Sequence, residues 1–196
     1  MRRTLVIFAK QPRMGLVKTR LAADIGPVAA TAFYRRNLRD VVRRLGRDPR
    51  WRTLVAVTPD GANPPEIRFS GVGRIGQGRG DLGHRMQRMF DRLEPGPVVI
   101  VGSDIPAIRP ADIAAAFRAL DGHDAVMGPS GDGGYWLIGL KRTPRIARVF
   151  ADVRWSAPET GGDTLKQLEA QGASVALVRE LHDVDTATDY RSLTAP

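Results

Sequence analysis

Apolar positions along this chain come in two rhythms. Short continuous runs predict strands at Thr4–Ala9, Thr53–Thr58, Val98–Gly102, Asp124–Gly128, Tyr135–Leu140 and Ser174–Val178. Stretches of helical period predict helices at Lys18–Asp24, Val28–Arg47, Leu82–Leu93, Pro110–Leu120, Thr160–Gln171 and Ala187–Leu193. The first three strand cores, LVIF, LVAV and VVIV, are unbroken rather than alternating, as expected of strands covered on both faces. After Pro27, Tyr34, Leu38, Val41 and Leu45 form an apolar stripe, while Arg35, Arg39, Arg43 and Arg47 repeat on the opposite side. That is a surface helix with one wet face.

Strands alternating with helices predict an α/β fold, a three-layer α/β/α sandwich with a mixed, mainly parallel sheet. The sheet is expected to be mixed because only SGDGG, Ser130 to Gly134, separates two strands, too little for a helical crossover. No repeat, linker or low-complexity tract interrupts the 196 residues, so one domain spanning 1–196 is expected.

Composition narrows the possibilities. With no cysteine, disulfides, thiolate metal sites and a cysteine nucleophile are excluded. The apolar stretch after the first two arginines ends at Lys10, shorter than the ~7–15 residues of a signal-peptide core. Nothing approaches a membrane span of ~18 apolar residues, and a soluble, cytoplasmic protein is expected. The net charge of +9 is carried by scattered arginines rather than basic blocks, and only Lys10, Lys18, Lys141 and Lys166 are lysine. That scatter fits a solvated surface better than a nucleic-acid footprint, and no RNA-recognition motif accompanies it.

Four stretches can carry chemistry, and a single carboxylate adds a fifth candidate. KQPRMGLVKTRL, Lys10 to Leu21, comes after the first strand, where α/β proteins often bind phosphate through backbone N–H groups and a helix N-terminus. Gly15 permits close backbone approach, and Lys10, Arg13, Lys18 and Arg20 can neutralise phosphate; a basic surface loop is the alternative. GQGRGDLGHRM, Gly76 to Met86, leaves room for a flat or phosphorylated ligand, and Gln77 can read a base edge. The same stretch also reads as a flexible connector with Asp81 as helix cap. In GPSGDGGYWLIGL, Asp132 sits in a glycine-rich turn between apolar strands, as a turn former or a rigidly held functional carboxylate. HDVDTATDY brings Asp183, Asp185 and Asp189 within seven residues, suiting a hard divalent cation or capping the last helix. A lone carboxylate, Asp104, ends the buried strand of PVVIVGSDIPAI, where open α/β sheets place their ligands. His84, His123 and His182 have no partner at metal-ligand spacing.

In order along the chain, FAKQPRMGLVKTRL, QGRGDLGHRM, VGSDIPAI, GPSGDGGYWLIGL, VRWSAPET and HDVDTATDY resemble the DUF2064 family of small bacterial transferases. These proteins have the glycosyltransferase-A fold of the nucleotide-diphospho-sugar transferase superfamily, which is Rossmann-like. The segment Lys18-Thr19-Arg20-Leu21 is also similar to 2-phospholactate guanylyltransferases.

The resemblance implies a metal-dependent transferase using a nucleotide or nucleotide-sugar and a small-molecule acceptor. Lys10, Gly15, Lys18 and Arg20 would bind nucleotide phosphates, and Gln77 and Gly78 would lie near the base. Asp104 and Asp185 would hold Mg²⁺ or Mn²⁺. By their own chemistry Lys18 and Arg20 would neutralise charge developing on the phosphoryl oxygens, and Asp132 is a candidate base to activate the acceptor. Gly133, Gly134, Tyr135 and Trp155 would contact acceptor or sugar. The chain has Gly-Ser-Asp after the central strand where many such glycosyltransferases have Asp-x-Asp, which leans toward nucleotidyl transfer. GDGGYW departs from the guanylyltransferases and leans the other way. Glycosyl transfer, nucleotidyl transfer with release of pyrophosphate, and nucleotide binding without catalysis are the three expectations, in a monomer or homodimer.

Overall fold

The computed structural model describes residues 1–143 and 148–194. Its strands are β1 (Thr4–Lys10), β2 (Arg52–Thr58), β3 (Val72–Gly76), β4 (Val98–Gly102), β5 (Ala125–Pro129), β6 (Tyr135–Leu140) and β7 (Val175–Leu177). Its helices are α1 (Thr19–Ile25), α2 (Pro27–Gly46), α3 (Leu82–Arg92), α4 (Pro110–Gly122), α5 (Thr160–Ala170) and α6 (Ala187–Thr194), with a 3₁₀ turn at Pro65–Ile67. Every predicted strand and helix is present, with boundaries shifted by one or two residues. Among the described residues no helix is long and apolar enough to cross a membrane.

The seven strands form one sheet in the order β3-β2-β1-β4-β6-β5-β7. All pairings are parallel except the two made by β6, which runs antiparallel to β4 and β5. The mixed, mainly parallel sheet is therefore as expected. Alternate residues of β1 serve the two faces. Leu5 and Ile7 join α2 and α4 side chains such as Leu38, Val41, Ile113 and Phe117. Val6 joins Met86, Met89 and Phe90 of α3 and Leu168 of α5. Both faces are covered, which is why the strand cores read as continuous apolar runs.

Apolar periodicity does not predict β3, because VGRIG carries two glycines and an arginine. It is an edge strand paired only to β2. A side chain at Gly73 would put its Cβ 2.5 Å from Leu54 Cδ2, so close packing against β2 demands the residue that disguises the strand.

Strand direction collects the interesting segments. β1, β4, β5 and β7 all point the same way, so the segments leaving their carboxyl ends emerge at one edge. Strand order reverses between β1 and β4, whose neighbours lead away in opposite directions, and this opens a crevice beyond their carboxyl ends. The buried Tyr34 of α2 ties these two ends together. Its hydroxyl accepts from Lys10 N–H at 2.9 Å, donates to Lys10 O at 3.2 Å and lies 3.2 Å from Ser103 Oγ. One turn along, buried Asn37 donates to Ser103 O at 2.8 Å.

Because Asn37 satisfies a buried carbonyl at the end of β4, Asn37→Ala should lower stability by about 1–2 kcal/mol. Urea denaturation measures this; an unchanged midpoint would show that the bond is dispensable.

Candidate active site

Three carboxylates converge at the crevice. Asp104 comes just after β4, while Asp183 and Asp185 lie in the segment after β7, and one oxygen from each falls within 4.8 Å of the others. Asp104 can fold back over its strand because Gly102 lacks a side chain; a Cβ there would lie 2.8 Å from Asp104 Oδ1. Asp183 and Asp185 both turn to the crevice, with buried Val184 between them.

One ammonium faces this cluster. Lys18 Nζ donates to Asp104 Oδ2 at 3.0 Å and to Asp185 Oδ1 at 2.6 Å, with its side chain only 5% exposed. Burial works against the ammonium, but the two carboxylates outweigh it and hold the Lys18 pKa above the ordinary lysine value. Arg20, 74% exposed, lies 3.6 Å from Asp185 Oδ2 and has most of its guanidinium open to a ligand. Asp183, which the acidic cluster suggested and the family resemblance did not single out, has a raised pKa. Burial, with Asp185, Asp104 and Asp132 nearby and only Lys18 opposing them, pushes its carboxyl up to about 6. An all-oxygen donor set with an ammonium already lodged in it fits a hard divalent cation.

Two cavities meet along this cluster. The first, about 520 Å³, is walled by Phe8, Lys10, Lys18, Arg20, Gln77 and Arg85, with Asp104 and Asp185 at one side. The second, about 620 Å³, shares Lys10, Arg20, Asp104 and Asp185 and adds Asp132, Asp183, Gly134, Tyr135, Trp136, Trp155 and Thr160. A bound molecule in either cavity would touch the same carboxylates.

The expected residues separate in these walls. Lys10, Lys18, Arg20 and Gln77 line the first cavity, while Gly15, Gly78 and Gly133 line neither. Gly15 has a positive φ of 77°, which the loop turn requires. Gln77 is buried with its amide nitrogen donating to Ala9 O and Ala56 O, so only Oε1 remains, 3.5 Å from Arg85. Gly78 donates its N–H to Asp60, and a Cβ there would strike Arg88. Gly133 is pressed beneath Pro158, with its carbonyl accepting from Gly161 N–H at 2.9 Å. The glycine-rich stretch 76–83 thus serves packing: a Cβ at Gly80 would meet His84 and one at Gly83 would meet Trp155. Asp81 caps α3 by accepting from His84 N–H at 2.9 Å.

Asp132 lines the second cavity, but its Oδ1 is occupied by Ser130 Oγ and by Gly134 N–H at 3.0 Å. Burial raises its pKa, yet these hydrogen bonds and Arg20 prevail, and the carboxyl is held below its usual value. Tyr135 turns its hydroxyl inward toward Thr164, and burial raises its pKa. Trp155 packs at 5.9 Å on Phe150, leaving one side to the cavity. Asp189 is a cap: its Oδ2 accepts from Thr186 N–H and Oγ1, both at 2.8 Å, at the start of α6. Of the late acidic cluster, two members face the crevice and the third holds the helix. Asp183 is legible as a member of that cluster; Arg85 and Tyr34 have no sequence signal, because only the fold brings them here.

Comparisons with known proteins bear out the expected fold. The family model described as "Uncharacterized protein conserved in bacteria (DUF2064)" matches residues 41–157. A candidate nucleotide-diphospho-sugar transferase from Desulfovibrio desulfuricans is 30% identical, with a TM-score of 0.87 over 98% of this chain and 87% of that one. The 2-C-methyl-D-erythritol 4-phosphate cytidylyltransferase of Thermus thermophilus is 16% identical, with a TM-score of 0.56 over 98% and 97% of the two chains. A Mycobacterium tuberculosis protein solved in complex with manganese is 19% identical, with a TM-score of 0.54 over 98% of each chain. A comparison with curated proteins finds no match.

The raised pKa of Asp183 has a stability consequence. Its contribution is fully present below the unfolded carboxylate value near 4 and is lost as pH rises through about 6. Asp183→Asn removes the ionising group, so it should raise Tm at pH 8 and give no such gain at pH 4. Thermal unfolding at the two pH values checks this; equal shifts would contradict it.

Proposed function

The chain belongs to the DUF2064 family, and from that premise and the crevice geometry we propose that it is a metal-dependent transferase acting on a nucleotide-sugar donor. The observation that carries this reading is the pair of cavities meeting along Asp104 and Asp185. One has room for a nucleotide and the other for an acceptor, with the reacting bond between them. Asp104, Asp183 and Asp185 would hold Mg²⁺ or Mn²⁺, which when bound neutralises the donor diphosphate and polarises its oxygens. The manganese complex of the mycobacterial neighbour supports that choice of ion.

The protein's own groups supply the rest. Lys10 and Arg20 border both cavities and place positive charge where the departing phosphate gains negative charge. Gln77 Oε1 and Arg85 offer an acceptor and a donor to the nucleotide at the far side of the first cavity. Trp155 gives the second cavity an apolar wall against which a sugar ring can lie, and Gly134 also lines it.

A second reading, nucleotidyl transfer from an NTP, is favoured by one observation. Asp132 is held below its usual pKa by Ser130 and Gly134, which makes it a weak proton acceptor. Attack by a phosphate or carboxylate acceptor needs no such base, whereas attack by a hydroxyl benefits from one. The similarity to a cytidylyltransferase points the same way.

Incubation with panels of NDP-sugars and NTPs plus Mn²⁺ separates the two. Release of nucleoside diphosphate is the expected outcome, release of pyrophosphate would establish nucleotidyl transfer, and turnover of neither would leave a binding protein. Asp104→Asn should weaken Mn²⁺-dependent nucleotide binding by at least about tenfold while leaving the circular dichroism spectrum unchanged. Unchanged affinity by calorimetry would remove Asp104 from the site.

A further inference from the structure

The position of Lys18 is unusual for a residue meant only to touch phosphate. Its ammonium bonds one oxygen each of Asp104 and Asp185, two of the three carboxylates that could hold a divalent cation. Its backbone lies at φ 48° and ψ 48°, the left-handed region that L side chains adopt at a cost. No side-chain cap at the start of α1 compensates for this. The ion pairs hold the side chain in place, while Lys18 O accepts from Ala22 N–H at 2.8 Å to begin α1. Preceding it, Met14 and Leu16 are 62% and 63% exposed and Gly15 has φ 77°, while Val17 is buried in the core, so the backbone beside Lys18 is anchored and its side chain is the part that can move. Lys18 also lines the first cavity beside Lys10 and Arg20.

We propose that Lys18 is a tethered counter-cation of the metal-free protein, which must leave Asp104 and Asp185 before a divalent cation can take their oxygens. The inference rests on the metal-site reading above. Two cations cannot share these oxygens without strong mutual repulsion, because unit charges ~4 Å apart near a protein surface interact by several times thermal energy. On leaving, the ammonium stays within reach of the first cavity, where an anionic donor would receive it. Metal loading and readiness for the donor are thereby one event, and the metal-free protein keeps its carboxylate cluster from repelling itself open. Lys18 is on this view a positioning residue before it is a catalytic one, and its removal has effects of opposite sign on metal and on donor.

The test uses Mn²⁺ alone with the full chain. Electron paramagnetic resonance of free Mn²⁺ gives the affinity of the wild type, Lys18→Met and Lys18→Arg. Lys18→Met should bind Mn²⁺ at least about tenfold more tightly than wild type, because the competing charge is gone. Lys18→Arg, which keeps the charge, should show no such gain. In the wild type, reductive methylation followed by mass spectrometry should show Lys18 protected without metal and reactive with saturating Mn²⁺. Lys141 and Lys166, which line neither cavity, serve as internal references, and this arm decides the matter if Lys18→Met fails to fold. Mn²⁺ affinity unchanged or weakened in Lys18→Met, or Lys18 reactivity indifferent to Mn²⁺, would overturn the exchange while leaving the metal site standing. Absence of Mn²⁺ binding in both proteins would overturn the metal-site reading and the exchange together.

Discussion

Three carboxylates within 4.8 Å of one another cannot all stay ionised in a half-buried crevice without a cation among them. In this protein the cation is Lys18 Nζ, bonded to Asp104 and Asp185 and almost fully removed from solvent. Desolvating such a group is costly, and ion pairs of this kind are weak contributors to net stability. Their persistence at the carboxyl edge of the sheet is better explained by chemistry than by folding. Asp183, left outside the direct ion pairs, shows the residual imbalance as a pKa displaced to about 6.

The sheet makes that convergence possible. Lys18 comes after β1, Asp104 after β4, Asp132 after β5, and Asp183 and Asp185 after β7. These strands share one direction, so four loops distant in sequence open at the same edge. The single reversed strand, β6, begins there and contributes Tyr135 and Trp136 to the second cavity. Tyr34 and Asn37 of α2 then brace the ends of β1 and β4 from one face, through bonds to the Lys10 backbone and to Ser103. These bonds and the buried Val17 fix the backbone from which the Lys18 side chain projects.

Glycine is where local pattern and tertiary role part. GQGRGDLG has the look of a ligand-cradling loop, yet its glycines make way for Asp60, Arg88, His84 and Trp155. Gly133, in the turn that carries Asp132, is needed because Pro158 presses on it. In each case the missing Cβ makes room for another part of the protein. The same confusion hides β3, whose Gly73 admits Leu54. A glycine reports either that space is required or, as at Gly15, that the backbone must turn, and it carries no information about what fills the space.

Periodicity determined the elements other than β3 and their alternation, because continuous apolar runs and helical stripes reflect burial on known faces, and the shortness of SGDGG gave the antiparallel pair. Residue type and position brought out Asp104 at the end of a buried strand, Lys18 in the loop after the first strand and an acidic cluster late in the chain, from which the family resemblance singled out Asp185. Which of the neighbouring acids faced the crevice was decided only by the fold. Asp183 and Asp185 turn to the crevice, while Asp189 turns back to cap a helix with Thr186. Tertiary structure alone also set Lys18 between two carboxylates rather than free in its loop, 86 and 167 positions away from them in sequence. The physical reason is range: local pattern is governed by contacts within a few residues, whereas the electrostatics of the crevice arise from four chain segments that meet only when the sheet has formed.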